Sequence, residues 1–318
     1  MSENTPSPSS PVANQALNRR VILVGASGVI GVQLMATAQT QERPVVGTYF
    51  QNARPDMVAF DMTQQPLTDV VPDLGPGDTV VLLSARVDPN WVFENPWDSR
   101  ELNVVGNIRA ADDTRNAGAR VVFVSTEYVF DGVSGGYDED ARPAPTTLYG
   151  QQKVEVEEHL QATGGRWAIV RLGWTVGWEK DSRCPVFNTF KTLMTKGARM
   201  AEDNTFTLSD VRDTAQAILE VADRDENTIW HLASAPPVTR SDLADWVMES
   251  SKFSGLMAFE RVRFAEIPYP EQRPERSWIV NHRAVQNLQV QFAEPWRTVE
   301  EKVKLVDQWF EERQKQIS

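Results

Sequence analysis

The apolar run VILV at residues 21–24 ends on GASGVIG at 25–31, and a further apolar stretch with helical spacing follows at once. A short apolar run closed by glycine reads as a buried strand, so this segment is a strand, a tight turn and a helix. Each glycine has a physical task. Gly25 permits the tight turn, Gly28 lets a phosphate approach the backbone, and Gly31 allows close packing of the helix. A pyrophosphate would then lie at the helix N-terminus, where free N–H groups and the helix dipole favour negative charge. The spacing is G-x-x-G-x-x-G rather than G-x-G-x-x-G. Gly25, Ser27, Gly28, Val29, Ile30 and Gly31 are the candidate dinucleotide contacts.

The alternation continues through the first half. Strands are expected at 20–25, 45–50, 79–84, 119–125 and 167–172, and helices at 29–38, 103–117 and 148–160. Strands alternating with helices imply parallel pairing with helices on both faces, an α/β doubly wound (Rossmann) sheet. From 173 to about 197 the pattern turns irregular and aromatic. A helix is expected at 209–222 and a strand at 228–233. Thr239 with Asp242, and Thr298 with Glu301, read as capping boxes that open helices. In the last helix Val299, Val303, Val306 and Phe310 form one apolar stripe. The expected organisation is a nucleotide-binding domain over 18–172 and a smaller substrate lobe over 173–318, interleaved with it.

Residues 1–17, rich in Pro, Ser and Asn, have the composition of a disordered tail and lack the apolar region of a signal peptide. No apolar run reaches membrane-spanning length. The formal net charge of −12 argues against nucleic acid or an anionic membrane as partner. The single cysteine, Cys184, excludes an internal disulfide, and His159, His231 and His282 have no metal-ligand spacing. The chain is expected to be cytoplasmic and free of metal.

The end of the second strand bears on the choice of nicotinamide cofactor. A site selective for NAD places Asp or Glu about twenty residues beyond the turn. Here TYFQNAR at 48–54 has no acid, and Arg54 would attract a 2′-phosphate that Thr48 tolerates. NADP(H) is therefore expected over NAD(H). Further on, Tyr149 and Lys153 lie four apart and share a helix face. A free phenol has a pKa near 10, and a nearby ammonium stabilises the phenolate and moves that value toward the working range. The hydroxyls of Ser125 and Thr126, at a strand end, could hydrogen-bond a substrate oxygen.

VVFVSTEYVFDG at 121–132, followed by YGQQK at 149–153, resembles the extended short-chain dehydrogenase/reductase superfamily, and within it the dTDP-4-dehydrorhamnose reductase-like group. GASGVIG at 25–31, NVVGN at 103–107, RLGW at 171–174, LSDVRDTA at 208–215 and RPERS at 273–277 extend the likeness over about residues 20–310. It implies an NADPH-dependent reductase of a 4-keto sugar nucleotide. Thr126, Tyr149 and Lys153 take the catalytic roles, with Lys153 also on the nicotinamide ribose and Asn103 supporting the site. Asp61 and Met62 would lie beside the adenine and Ser84 and Ala85 beside the cofactor. Arg86, Glu127, Trp174, Asn188 and Arg273 would face the nucleotide-sugar substrate. Glu127 stands where the group has Asp, and Leu208-Ser209 where it has Pro-Thr. The sugar-nucleotide 4,6-dehydratases carry an Asp-Glu pair that Glu127-Tyr128 lacks. The same likeness leaves open an NAD(P)-dependent epimerase, and a non-catalytic NADP-binding regulatory subunit like the β subunit of methionine adenosyltransferase. Related folds often pair through surface helices, so a homodimer is open to the chain.

In the second half Trp174, Trp178, Phe187 and Asn188 could stack on or bond a nucleobase, while Arg183, Arg273 and Arg276 could bind its diphosphate.

Overall fold

The aliphatic runs of the first half become parallel strands, and helices after the first, fourth and fifth of them return the chain to the same end of the sheet. In the computed structural model residues 19–177 and 184–317 are described. The expected tail at 1–17, and Trp178 and Arg183, lie outside the described residues. The chain runs β1 (Arg20–Val24), α1 (Val29–Thr40), β2 (Val45–Tyr49), β3 (Met57–Ala59), β4 (Asp78–Leu82), α2 (Pro89–Glu94), α3 (Pro96–Arg100), α4 (Asn107–Asn116), β5 (Arg120–Thr126), α5 (Leu148–Thr163) and β6 (Arg166–Leu172). It continues with β7 (Trp174–Val176), α6 (Pro185–Leu193), β8 (Arg199–Ala201), β9 (Thr205–Phe206), β10 (Leu208–Asp210), α7 (Val211–Ala222), β11 (Thr228–Leu232), β12 (Val238–Thr239), α8 (Arg240–Ser250), β13 (Glu260–Val262), α9 (His282–Asn287) and α10 (Pro295–Ile317).

Seven strands form one sheet in the order β11-β6-β5-β4-β1-β2-β3, all neighbours parallel. Alternation along each strand divides the core between two faces. Val21, Leu23, Val122 and Val124 pack with Leu34 and Ala38 of α1 and Ile218 of α7. Ile22, Val24 and Phe123 pack with Ala110 and Ala111 of α4 and Val156 and Leu160 of α5. A separate core in the second half joins Phe187, Phe190, Leu243, Val247, Val299, Val303 and Val306. The chain leaves the sheet after β6, returns for α7 and β11, and then leaves it again.

The sheet reverses its build direction between β1 and β4. From β1 the chain moves outward through β2 and β3, then crosses to β4, β5 and β6 on the other side. Such a switch point leaves a crevice at the carboxyl ends of the strands, the usual ligand site of an open α/β sheet.

The structure differs locally from the sequence reading in three places. Residues 101–106 form a π-helical turn, so the helix expected from 103 becomes α-helical only at Asn107. Residues 208–210 pair with β7 as a strand before α7 begins. Helix α10 starts at Pro295, not at a Thr298 cap, because proline is preorganised for the first helical position. Thr298 lies inside the helix, where its N–H bonds the Glu294 carbonyl. The Thr239–Asp242 capping box is present, with both reciprocal hydrogen bonds.

Candidate active site

The turn after β1 is held open toward the crevice. Gly25 has φ of +87°, a left-handed conformation that glycine adopts without strain. Its N–H bonds the Thr48 hydroxyl at 3.2 Å, and the Ala26 N–H bonds the Thr48 carbonyl at 2.7 Å. Thr48 is thus committed to the turn and buried, not free to accommodate a ribose phosphate. A Cβ on Gly31 would lie 2.5 Å from the Ala26 Cα, so only glycine lets α1 pack against the turn. Gly28 is different. A Cβ there would meet nothing nearer than 3.6 Å, and Gly28 caps α1 with no side-chain hydrogen bond. The first-turn amides of Val29, Ile30 and Gly31 therefore have open space and no side-chain cap before them. This arrangement fits a pyrophosphate. Ser27 is half-buried beside these amides, and Arg54 is half-buried in the loop that follows β2. Asp61 accepts the N–H and hydroxyl of Thr63, and Met62 is buried against Gly106.

After β4, Ser84, Ala85 and Arg86 run along the same edge. Asn103, fully buried in the π-helical turn, clamps this loop. Its Oδ1 accepts the Arg86 N–H at 2.8 Å, and its Nδ2 donates to the Arg86 carbonyl at 3.0 Å and to Gln152 Oε1 at 2.8 Å. Gln152 in turn donates to Ser99 Oγ at 2.9 Å. Asn103 therefore ties the β4 loop to α5. No sequence signal singles out Gln152, which matters only because α5 turns it toward Asn103.

Thr126 ends β5 and Tyr149 lies in the first turn of α5, whose N-cap Thr147 accepts the Gly150 N–H at 3.1 Å. Burial pushes the Tyr149 phenol above its ordinary pKa, against a hydrogen bond with the Thr126 side chain that pulls it down, and Tyr128 adds to the rise. Tyr128 packs edge-on to Tyr149 with ring centres 6.2 Å apart. One turn along, the Lys153 ammonium donates to the Val124 carbonyl at 2.8 Å, lies 4.6 Å from the Phe123 ring centre and 6.0 Å from that of Tyr149. Burial lowers its pKa to about 7, opposed by Glu157. The expectation that Lys153 draws the phenol down is therefore corrected. Burial dominates at Tyr149, and the ammonium is turned toward a main-chain carbonyl.

Ser125 is corrected as well. Successive strand residues face opposite ways, and the Ser125 hydroxyl donates to Glu157 Oε1 at 2.5 Å instead of reaching toward the crevice. Glu157 also takes Arg171 Nε at 3.1 Å and Nη2 at 2.7 Å, with both charged side chains 1% exposed. Glu127 is turned into the protein too. Its Oε2 accepts the Thr207 N–H at 3.1 Å and its Oε1 the Ser277 hydroxyl at 2.8 Å. Burial raises its pKa to about 7.

In the second half Trp174 is half-buried, 4.5 Å from the Phe206 ring centre and beneath the Arg240 guanidinium at 4.7 Å. Arg240 was not anticipated. It opens α8 and donates to Asn204 Oδ1 at 3.0 Å. Arg273 donates to Asn90 Oδ1 and stacks over Tyr269. Arg240 and Arg273 both act electrostatically on Tyr128, and Trp174 lies under the Arg240 guanidinium, which makes one group of these side chains. Asn188 is half-buried on α6. Phe187 packs edge-on against Trp309 in the second core, and Arg276 is exposed beside Glu275, so neither joins this group. Among the described residues no group of three or more His, Cys, Asp or Glu could hold a metal ion, and no helix is long and apolar enough to cross a membrane.

Residues 19–307 match the family model described as RmlD substrate binding domain. Methionine adenosyltransferase 2 subunit beta of Pongo abelii is 30% identical over 156 residues, 49% of this chain and 46% of that protein. The alignment thus spans about half the length of that relative. The dTDP-4-dehydrorhamnose reductase of Mycobacterium tuberculosis is 28% identical over 277 residues, 82% of this chain and 84% of the relative. A solved structure of dTDP-4-dehydrorhamnose reductase from Bacillus anthracis, in complex with NADP, superposes with a TM-score of 0.76 over 89% of this chain and 97% of that one, at 20% identity. That likeness shows the fold, and the family match bears out the resemblance carried by the sequence motifs.

Proposed function

We propose that this protein, which belongs to the RmlD substrate binding domain family, reduces a 4-keto sugar nucleotide to the alcohol with NADPH. The observation that carries the reading is the meeting of the Thr126 side chain with the buried Tyr149 phenol. It lies at the carboxyl end of β5, with Lys153 one turn further along α5, in a sheet whose switch point also holds the open glycine turn. The M. tuberculosis relative is named a dTDP-4-dehydrorhamnose reductase, and the B. anthracis structure holds NADP.

The uncapped amides of Val29 to Gly31 and the open face of Gly28 would hold the pyrophosphate, with Ser84 and Ala85 along the cofactor. Asp61 and Met62 would border the adenine, and Arg54 would favour a 2′-phosphate. When bound, the reduced nicotinamide supplies a hydride to the carbonyl carbon. Thr126 would hold the carbonyl oxygen and Tyr149 would donate its proton to it. A phenol kept above its ordinary pKa is fully protonated at neutral pH, as a proton donor must be. Lys153 would bond the nicotinamide ribose, and Asn103 would keep the β4 loop in register. Arg86, Trp174, Asn188 and Arg273 are the proposed substrate contacts. Glu127, buried and bonded on both oxygens, is not presented to a substrate, which disfavours an elimination.

Tyr149→Phe should bind NADPH normally and lose about 10²–10⁴ in kcat on a 4-keto sugar nucleotide. An unchanged kcat would reject the assignment. In the wild type kcat/KM should be higher with NADPH than with NADH. The second reading, a regulatory subunit that binds NADP, is favoured by the partial match to methionine adenosyltransferase 2 subunit beta. Co-purification with a second polypeptide, together with no NADPH oxidation across keto sugars, would select it.

A further inference from the structure

Glu127 is a buried carboxyl, 1% exposed, whose hydrogen-bond partners include no cation. A group of this kind is costly to bury, and an apolar side chain of similar volume would pack at less cost. What it provides is direction. Both its partners belong to the second half of the chain, 80 and 150 residues away. Each partner is tied to further segments. The Thr207 carbonyl takes the Trp174 N–H at 2.8 Å, the Thr207 hydroxyl takes the Ile279 N–H at 3.1 Å, and the Ser277 N–H bonds the Thr205 carbonyl at 2.9 Å. One carboxyl thus gathers the segments at 174, 205–207 and 277–279 onto the end of β5. Its chain neighbours are Thr126, whose side chain acts on the Tyr149 phenol, and Tyr128, packed edge-on to the Tyr149 ring at 6.2 Å. The fit is close, since a Cβ on Gly173 would lie 2.8 Å from Glu127 Oε2.

We infer that Glu127 is a positioning residue: it sets the substrate lobe in register with Thr126 and Tyr149, and thereby sets affinity for the nucleotide sugar without touching it. The inference rests on the reductase reading for its kinetic consequence only, because the register itself can be read from amide exchange.

The test uses the full chain and the variants Glu127→Asp, Glu127→Gln and Ser277→Ala. Aspartate keeps the charge but withdraws the carboxyl by one methylene. It should raise KM for the 4-keto sugar nucleotide about tenfold, as for loss of a charge-assisted hydrogen bond. The dissociation constant for NADPH should stay within about twofold. Hydrogen exchange should quicken at Thr207 and Ile279 and stay unchanged in β1 and β4. Glutamine keeps the length, accepts the Thr207 N–H and can still pair with Ser277, so KM should return to within about twofold of wild type. Ser277→Ala, which breaks the contact from the other side, should repeat the aspartate pattern more weakly and serves if Glu127→Asp does not fold. Unchanged KM and unchanged exchange in both Glu127→Asp and Ser277→Ala would overturn the inference. So would a parallel loss of NADPH affinity, which would mark a general loss of structure. If the wild type turns over no keto sugar nucleotide, the reductase reading fails, and the exchange pattern alone decides the role of Glu127.

Discussion

Replacing Glu157 by alanine should destabilise the fold by about 3–5 kcal/mol, the usual cost of stranding one partner of a buried ion pair. The structure places this pair at the severe end of the range. Arg171 and Glu157 are each 1% exposed, and the carboxylate receives three hydrogen bonds, two from Arg171 and one from Ser125. Without it, the guanidinium would keep only its stacking over Phe130, at 5.1 Å, and its Nη1 has no hydrogen-bond partner even in the intact protein. The Arg20–Asp73 pair is the control. The Asp73 side chain is 73% exposed, so Asp73→Ala should leave the unfolding midpoint close to that of the wild type. Urea unfolding followed by circular dichroism reads both. With a slope near 3 kcal/mol/M, the Glu157→Ala midpoint should fall by roughly 1–1.7 M. Joint replacement, Glu157→Leu with Arg171→Met, should recover most of the loss because neither charge is then buried alone. A loss below about 1 kcal/mol in Glu157→Ala, or a double variant no better than the single one, would refute the reasoning. Removing Glu157 also removes the charge that opposes the fall of the Lys153 pKa, so the ammonium should be lost at lower pH than in the wild type.

Other outcomes follow from the same geometry. The Glu127 carboxyl has its pKa raised from 4.5 to about 7 in the folded state, so the native protein holds the extra proton between those values and stability falls as pH rises through that window. Comparing wild type with Glu127→Gln by urea unfolding at pH 4.5 and pH 8 should therefore show the wild type losing about 3 kcal/mol more over that interval, and parallel pH dependences would contradict it. Thr126→Val should lower kcat sharply and cost about 1 kcal/mol of stability through loss of its cap on the Tyr128 N–H, whereas Ser125→Ala should cost about 1–3 kcal/mol of stability and leave kcat near wild type, since of the two hydroxyls it is that of Thr126 that acts on Tyr149. Gly31→Ala must displace the Ala26 backbone, so dinucleotide binding measured by fluorescence titration should weaken at least tenfold; normal affinity would show that the turn yields more easily than its packing implies.

Much of the frame was legible because it depends on near neighbours in sequence. The glycine turn, the alternation of strand and helix, the shared face of Tyr149 and Lys153 and the apolar stripe of Val299, Val303 and Val306 all arise from spacings of a few residues, and each is present in the fold. The partners of polar groups were not legible in this way. Ser125 meets Glu157 across 32 residues, Asn103 meets Gln152 across 49, and Glu127 meets Ser277 across 150. Arg240 and Arg273 reach the neighbourhood of Tyr128 only because the second half of the chain folds back over the sheet. Periodicity tells which side of a strand or helix a residue occupies, but a hydrogen bond requires two atoms about 3 Å apart, and only the assembled chain sets that distance. The sequence by itself thus determined a parallel α/β sheet with an anion-receptive turn and a phenol–ammonium pair on one helix. The tertiary structure decided which of two adjacent hydroxyls, Ser125 or Thr126, meets that phenol, and which buried acid ties the segments at 207 and 277 to the end of β5, because burial and long-range register are properties of the packed whole.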